Sequence, residues 1–358
     1  MQIWPYLPRL DADAPSIKAV IKRDPEDFVV EEVAAYEPCG QGEHLFLWIE
    51  KRDISAEGLL KHLAGQLRID RRDIGAAGMK DRRAITRQWV SVPATAESRI
   101  DRIENEAIRV LKSARHKNKL KTGHLVANRF SIHVRGIAKP LRESVLASVA
   151  RVAAGGFPNY YGPQRFGNEG HTAKQGFDLL KGQLRPAQIP RQRRRFLIRL
   201  AISAAQSMVF NTVLGNRIDN GRIATVTVGD VLQKIESGGM FVCENVEQDQ
   251  ARLDAGELAL TGPMHGPKMR RAEGEPAEWD AEGLARWELT EEQFAEFSRV
   301  AHGTRRPMMV SADDLVAESA TGGLLVKVTL PAGVYVTVLL REVLGLEEKV
   351  LRAPAPRR

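Results

Sequence analysis

The sequence is poor in cysteine and has no long apolar run. Only Cys39 and Cys243 occur among its 358 residues, which excludes a disulfide framework and a cysteine-based zinc site and fits a reducing cytoplasm. The most apolar stretch, 324–340, is interrupted by a lysine and a proline, and it is too short and too alternating for a membrane-spanning helix. Residues 1–15 lack a basic region followed by an apolar one, so we expect no secretory signal.

Several well-known catalytic motifs are absent as well. The chain contains no Walker A sequence, no G-x-G-x-x-G after a predicted strand, no H-E-x-x-H and no G-x-S-x-G elbow. Nucleotide hydrolysis, dinucleotide redox chemistry and zincin chemistry therefore lack their usual parts. The eight histidines show no metal-ligand spacing, so we expect neither a metal nor a cofactor.

Positive charge is present in two concentrated tracts. The formal net charge is +8, but residues 107–142 alone hold ten Lys or Arg and no acid, and residues 179–218 hold eight and again no acid. Residues 244–300 carry the opposite balance, 14 acids against 6 bases. A run of charged residues most often forms a solvent-exposed surface and has no binding role. Two basic tracts without a single acid, in one chain, instead favour a polyanionic partner.

The centre of each basic tract has the spacing to follow a phosphate backbone. The candidate backbone contacts are Arg115, Lys117, Lys119, Lys121, Arg191, Arg193, Arg194 and Arg195. Bases removed from a stack can pack on aromatic rings, and five rings lie near these tracts in the sequence. They are Phe130, Phe157, Tyr160, Tyr161 and Phe166. This combination indicates RNA or flipped nucleotides rather than intact duplex DNA.

The hydrophobic pattern predicts a strand-rich start and a strand-rich end around a helical middle. The first predicted strands are 29–33, 44–49, 74–76, 86–92, 108–112 and 128–134. The predicted helices are 55–67, capped by Ser55, then 140–155, 172–181 and 194–215. Near the end, 324–328 and 334–338 are interpreted as a strand pair or one bulged strand, followed by a helix near 340–345. This order predicts one α+β domain interrupted by an insertion.

Asp81 is the main candidate for catalysis. It lies in the segment GMKDRRAITRQ, residues 78–88, on a loop between two predicted strands and among four basic side chains. One interpretation is that Asp81 caps a turn and pairs with the adjacent bases. The other is that the neighbouring cations keep its carboxylate ionised, as a nucleophile or general base beside a polyanion.

Five segments, in order along the chain, resemble the tRNA pseudouridine synthases of the TruD type. They are KRDPEDFVVEE at 22–32, GMKDRRAITRQ at 78–88, LKTGHLVANRF at 120–130, PNYYGPQRFG at 158–167 and LPAGVYVTVLLRE at 330–342. Val336 stands where the family more often has alanine, and residues 235–300 match no motif of the family.

The resemblance implies that the protein converts uridine 13, in the D-arm of a transfer RNA, into pseudouridine. This isomerisation breaks the N1–C1′ bond, turns the uracil and rejoins it through C5, with no metal, nucleotide or redox carrier. The uridine must leave its stack to react. The resemblance places the family's nucleophilic aspartate on Asp81, which would add to C6, attack C1′ or remove a ribose proton to form a glycal; these three routes stay open.

The resemblance also implies roles for side chains around Asp81, each with a structural alternative. Phe130 would stack on the target uracil, or it would be a core residue of its strand. Asn128 would orient the base or the Asp81 loop, or it would simply lie at a strand edge. Lys22 would pair with Asp81 or a phosphate, the alternative being a solvated turn lysine. Phe28 would line the site or belong to the core.

Three further candidates come from the same motifs. Lys80 and Gln88 flank the nucleophile and would hold either the loop or the RNA. Arg165 would contact RNA from the insertion, or it would stabilise its own glycine-flanked loop.

The resemblance implies an α+β catalytic domain of the pseudouridine-synthase type, residues 1–154 plus 307–358, built on a mixed, mainly antiparallel sheet. A helix-rich inserted domain, 155–306, would form the other wall of an RNA cleft. We expect tRNA as the partner, no membrane, a cytoplasmic location and no need for a dimer. Two alternatives come from other classes: a non-catalytic RNA-binding or chaperone protein, and a cofactor-independent nuclease or glycosylase that uses the same carboxylate.

Overall fold

The computed structural model describes residues 7–12 and 16–345. Most of the region in which we expected no secretory signal, and the outer ends of the predicted catalytic domain, therefore lie outside the described residues. The described chain divides into two compact units. The sheet unit comprises 16–155, Ala312–Val336 and 343–345, and the second unit comprises 7–12, Gly156–Ser311 and Thr337–Glu342.

The secondary structure is as follows, in chain order. The strands are β1 (Phe28–Ala34), β2 (His44–Arg52), β3 (Gly75–Ala76), β4 (Ile85–Pro93), β5 (Ile108–His116), β6 (Leu125–Arg135), β7 (Phe157–Pro158), β8 (Val231–Lys234), β9 (Met240–Val242), β10 (Leu258–Met264), β11 (Thr304–Pro307), β12 (Met309–Val310), β13 (Val316–Ala320) and β14 (Gly323–Pro331). The helices are α1 (Ala56–Leu67), α2 (Lys139–Gly155), α3 (His171–Leu180), α4 (Arg194–Asp219), α5 (Val246–Asp254), α6 (Gly274–Ala285), α7 (Glu291–Ala295) and α8 (Val336–Leu344).

One eight-stranded sheet organises the sheet unit. Its order is β13-β14-β6-β1-β4-β2-β5, and β3 pairs with β4. The β1–β4 pair is parallel, and the other strand pairs of this sheet are antiparallel. The predicted α+β class with a mixed, mainly antiparallel sheet is therefore confirmed.

Helix α1 covers one part of this sheet. Its apolar side chains recur every three or four residues, and Leu59, Leu63 and Leu67 pack against strand residues such as Leu47. Ser55 caps its first turn, because the Ser55 hydroxyl accepts a hydrogen bond from the Gly58 N–H at 3.0 Å. The sheet and α1 therefore share one apolar core.

The prediction of a strand at 334–338 is wrong. Strand β14 ends at Pro331, Val334 lies in the connecting segment, and Val336 and Val338 belong to helix α8. Val336, Leu340 and Val343 are all buried, a spacing of three to four residues that suits a helix. Because five alternating residues are too few to separate a strand from the buried side of a helix, the local pattern was ambiguous.

The second unit contains more strand than the sequence predicted. Strands β8 to β11 form a four-stranded sheet in the order β11-β10-β8-β9, and β7 pairs with β12. Helices α3 and α4 pack closely, since a Cβ atom at Gly176 would stand 2.1 Å from the Ala201 carbonyl oxygen. Helix α4, with 26 residues, is long and apolar enough to cross a membrane, but 78% of its most apolar window is buried inside the protein, as in a core helix.

Candidate active site

The Asp81 loop, residues 77–84, leaves the sheet beside a gap in strand pairing. Strand β1 pairs with β4 as far as Arg87, and β3 pairs with β4 from Val90 onward. Glu32 fills the gap: its carboxylate accepts hydrogen bonds from the Trp89 N–H at 3.3 Å and from Lys80 Nζ at 2.6 Å. The Glu32 and Lys80 side chains are 0% and 5% exposed, so this ion pair pins the loop to the sheet one residue before Asp81.

The structure brings Lys22 and Phe28 to the Asp81 carboxylate. Asp81 is 51% exposed, and its Oδ2 lies 3.1 Å from Nζ of Lys22, whose side chain is 11% exposed. The same ammonium lies 3.8 Å from the centre of the Phe28 ring, a cation–π contact. The carboxylate is thus held from one side by a shielded cation and left open to solvent on the other.

A tight turn places Lys22 and Phe28. Lys22 has a φ of +55°, the left-handed region that lysine rarely adopts, and residues Pro25–Asp27 form a 3-10 turn just before β1. Asp27 is buried and accepts hydrogen bonds from the Arg135 guanidinium at 2.6 to 2.9 Å. Burial raises the pKa of Asp27, but the hydrogen bonds from Arg135 and the Asp24 N–H, together with the nearby charges of Arg135 and His133, outweigh it and hold the pKa below its usual value.

Lys51, on β2, is a site residue that the sequence analysis missed. Its side chain is fully buried, and its ammonium donates hydrogen bonds to the main-chain oxygens of Ile54 and Asp81, each at 2.7 Å. The sequence pattern could have identified it. Every second residue of β2 faces the core, as Leu47 and Ile49 do, and continuing this alternation places Lys51 on the same buried face.

Phe130 lies on the face of the sheet that also carries Lys51. Phe130 is paired with Val30 of β1, and Val30 is paired with Thr86 of β4. Because the side chains of directly paired residues point to the same side of a sheet, these three side chains share one face. Phe130 is buried, and its ring meets Phe28 edge-on with 6.1 Å between ring centres. Lys51 is paired with Thr86 and therefore shares this face.

Three buried oxygens on this face have no hydrogen-bond partner in the described part of the chain. They are Thr86 Oγ1, Gln88 Oε1 and Asn128 Oδ1. Gln88 lies two residues from Thr86, and Asn128 lies two residues from Phe130. Since side chains two residues apart on a strand point to the same side, Gln88 and Asn128 share this face. Buried polar atoms are rarely left unpartnered, and a group of them beside a half-exposed carboxylate is typical of a ligand site.

The basic tract of the sheet unit is attached to the Asp81 loop. Lys117 and Lys121 are exposed on the segment after β5, and Leu120 between them is buried. The Gly123 N–H donates to the main-chain oxygen of Ala77 at 2.8 Å, at the start of the Asp81 loop. Two other candidates have protein partners, because Lys119 donates to the Arg72 main-chain oxygen and Arg115 pairs with Glu97.

The basic tract of the second unit begins helix α4. Arg191, Arg193 and Arg195 are exposed, and the first turn contains no acid, so the positive end of the helix dipole adds to their charge. Arg194 is engaged internally and donates to the Ile189 main-chain oxygen at 3.1 Å. Phe196, which the sequence analysis missed, is 49% exposed beside these cations.

Arg165 is held inside the second unit. Its guanidinium donates to the hydroxyls of Ser203 and Ser207 on α4, and it lies over the ring of Tyr161 at 5.5 Å. These contacts favour the loop-stabilising interpretation of Arg165.

The suggestion that bases stack on Phe157, Tyr160 and Phe166 is wrong. All three rings are fully buried in the second unit, because the glycine-flanked segment that carries them folds into its core. Sequence distance to a basic tract therefore did not predict exposure. Among the described residues, no group of three His, Cys, Asp or Glu side chains is placed to hold a metal ion.

Comparisons with known proteins agree on one family. A family model described as tRNA pseudouridine synthase D (TruD) matches residues 9–189 and 191–343. The chain is 41% identical over 339 residues to a tRNA pseudouridine synthase D from an Anaeromyxobacter species, covering 94% of this chain and 95% of that protein. It is 39% identical over 357 residues to a protein of the same name from Thermus thermophilus, covering 98% and 96%. Its fold matches the crystal structure of a putative tRNA pseudouridine synthase D from Methanosarcina mazei, with a TM-score of 0.76 at 24% identity over 98% of each chain.

Proposed function

The chain belongs to the TruD family of tRNA pseudouridine synthases and isomerises uridine in tRNA, and from this premise we propose that Asp81 initiates the reaction on uridine 13 of the D-arm. Family membership decides against the two alternatives of the sequence analysis, a non-catalytic RNA-binding protein and a nuclease or glycosylase. In the isomerisation the N1–C1′ bond breaks and a C5–C1′ bond forms, while C5 loses a proton and N1 gains one. The RNA chain stays intact throughout.

The observation that carries the proposal is the Asp81 carboxylate itself. It is half exposed, paired with Lys22 at 3.1 Å, and mounted on a loop pinned by the buried Lys80–Glu32 pair. Addition to C6, attack on C1′ and removal of a ribose proton all begin from a carboxylate at a fixed position. A pinned loop supplies that position before the substrate arrives, which lowers the entropic cost of the reaction.

We place the flipped uracil on the sheet face that carries Phe130. An aromatic ring offers a stacking surface to a base of any type, and the Phe28 ring supports Phe130 edge-on. The unpartnered oxygens of Gln88 and Asn128 can accept a hydrogen bond from an N–H of uracil, which has both donors and acceptors on its edges. Binding of the base thus satisfies groups that are left unsatisfied in the free protein.

Replacing Gln88 by Met should separate function from stability. Because the Gln88 amide oxygen has no partner in the free protein, we expect an unchanged or higher melting temperature. The kcat/KM for tRNA should fall by about 10-fold or more, since a hydrogen bond left unmade costs roughly 1–3 kcal/mol. Gln66→Met, at an exposed position of α1, is the matched control. An unchanged kcat/KM in Gln88→Met would remove Gln88 from the base site.

We propose that the basic tract beside the Asp81 loop binds the tRNA backbone. Neutralising Lys117, Lys119 and Lys121 together to Gln should weaken tRNA binding and flatten its dependence on salt, by a slope of order 1 for each phosphate that is no longer neutralised. The measurement is the dissociation constant as a function of salt concentration. The control neutralises three exposed lysines outside the tract: Lys18, Lys61 and Lys234. Equal slopes in the two triple variants would contradict a specific role of the tract.

We further propose that the second unit contacts RNA through Arg191, Arg193 and Arg195, with Phe196 as a ring on which an unpaired base can stack. This role replaces the one first suggested for the buried rings of Phe157, Tyr160 and Phe166. We infer a cytoplasmic location, because both cysteines of the chain are free and the substrate is tRNA. The proposed working form is a monomer.

The target position is tested by mapping pseudouridine in an unmodified tRNA transcript after incubation with the protein. We expect a single pseudouridine, at position 13, and an unbroken RNA chain. Modification at another position, with position 13 unmodified, would refute the assignment of the target while leaving the reaction type intact.

A further inference from the structure

Lys51 is a buried cation whose partners are unusual. Its side chain is fully buried, yet its ammonium donates to two main-chain oxygens, those of Ile54 and Asp81, each at 2.7 Å. Within the described chain, no carboxylate lies within salt-bridge distance of it. Burying an ammonium is costly unless hydrogen bonds compensate for the lost water, so a lysine at this position needs a physical reason.

The two carbonyl groups belong to segments of different structure. Ile54 directly precedes the Ser55 cap of α1, which packs on the sheet core. Asp81 lies on a loop without regular secondary structure. The ammonium therefore connects the main chain of a loop to the start of helix α1, which packs on the sheet, and it does so at the residue that carries the proposed reacting carboxylate.

We propose that Lys51 is a positioning residue for the isomerisation: its ammonium fixes the main chain of Asp81 and thereby sets where the Asp81 carboxylate stands relative to the uridine. The inference rests on the proposed role of Asp81. Lys80 pins the preceding residue through Glu32, and Lys22 pairs with the carboxylate itself. Lys51 supplies the third restraint, on the backbone between them.

The position of a reacting group strongly affects the rate. A displacement of about 1 Å can lower a rate by about 10²-fold, because the reacting atoms no longer meet at the required distance and angle. Loss of the Lys51 ammonium should therefore lower kcat. It should leave the KM for tRNA nearly unchanged, since Lys51 is buried and does not reach the RNA.

Lys51 also introduces a pH dependence. The pKa of Lys51 is lowered to about 8, chiefly by burial and in part by the ammonium of Lys80, while the carboxylates of Asp81 and Asp53 act in the opposite direction. Above this pH the neutral amine holds the two carbonyl groups less firmly, because a hydrogen bond from a charged donor is stronger than one from a neutral donor. We therefore expect kcat to decline as the pH rises through about 8.

Stability should change in the opposite direction. The pKa of Lys51 is lower in the folded protein, about 8, than its ordinary value of 10.5, so the unfolded chain binds more protons between these values. The contribution of this group to stability therefore rises with pH in that window. A decline in kcat there, without a decline in melting temperature, cannot be attributed to unfolding.

The experiment compares wild type with Lys51→Met, Lys51→Arg and the exposed-lysine control Lys61→Met, measuring kcat, KM, melting temperature and the pH profile of kcat on a tRNA transcript. In Lys51→Met we expect kcat to fall about 10²-fold at unchanged KM, with no decline near pH 8. Arginine keeps its charge at all these pH values, so Lys51→Arg should retain more activity than Lys51→Met and should also lose the decline. Any titration of uracil itself is common to all variants and cancels in their ratio.

Wild-type kcat in a folded Lys51→Met protein would overturn the inference, as would a decline near pH 8 that persists in Lys51→Arg. If Lys51→Met fails to fold, the test is the comparison of the pH profiles of kcat between wild type and Lys51→Arg: a decline near pH 8 in the wild type alone supports the role of Lys51, and a decline in both contradicts it. The outcome for Asp81 is separate: activity in Asp81→Asn refutes the proposed function, whereas an inactive Asp81→Asn together with a fully active Lys51→Met refutes only the role of Lys51.

Discussion

Replacing Asp81 by Asn is expected to abolish pseudouridine formation, with a fall in kcat of about 10⁴-fold or more. Asparagine keeps the size and shape of the side chain, but it can act neither as a nucleophile nor as a base. Binding of tRNA should be unchanged or slightly tighter, because the substitution removes a negative charge close to the RNA. The measurements are single-turnover pseudouridine formation and tRNA affinity on the same transcript.

The control for this substitution is Asp73→Asn, at an exposed aspartate upstream of the loop. It removes the same charge and should retain full activity. Lys22 loses its partner in Asp81→Asn, so a melting curve is needed to show that the loop region remains folded. Pseudouridine formed at the wild-type rate by Asp81→Asn would refute the assignment of the reacting carboxylate.

The second large effect is expected on stability, in Lys80→Met. The Glu32 carboxylate is 0% exposed and lies 2.6 Å from the Lys80 ammonium, so removing the lysine leaves a buried charge without its partner. Breaking such a pair costs about 3–5 kcal/mol. We expect a fall of this size in the free energy of unfolding of the sheet unit, measured by urea titration, and a loss of activity because the Asp81 loop is released.

Two comparisons make this prediction specific. Lys121→Met removes an exposed lysine from the adjacent basic tract and should leave the unfolding free energy unchanged. The double variant Glu32→Gln with Lys80→Met removes both charges while keeping an acceptor for the Trp89 N–H, and it should recover most of the lost stability. Equal destabilisation in the single and double variants would mean that the packing of Lys80, rather than its charge, is what matters.

Much of the sheet unit could be predicted from local patterns. Alternation located β1, β2, β4 and β6 within a few residues, and Ser55 was correctly predicted as a helix cap. These features depend only on residues that are close together in the chain, so a short stretch of sequence is enough to predict them. Where the window was short, as at 334–338, the same reasoning confused a helix with a strand.

The family motifs were equally readable, since each is a contiguous segment with its own spacing. They identified the Asp81 loop and the turn that carries Lys22. Lys22 and Lys80 were identified with the motifs, but Glu32 as the partner of Lys80 and the contact of Lys51 with Asp81 were not. These contacts join distant positions: Glu32 and Lys80 are 48 residues apart, and Lys51 and Asp81 are 30 apart. No local sequence pattern predicts that two residues so far apart in the chain will be in contact.

The sequence by itself determined the family, the α+β class, the loop that we propose to be catalytic and the two basic tracts. Only the tertiary structure decided which groups are buried and with whom they pair. It brought the Lys51 ammonium to the main-chain oxygen of Asp81, left the Gln88 amide oxygen without a hydrogen-bond partner among the described residues, and put Phe196 rather than Tyr160 at the surface. The physical reason is that a motif consists of residues close together in the chain, whereas burial and pairing depend on how strands and helices from distant parts of the chain pack within each unit.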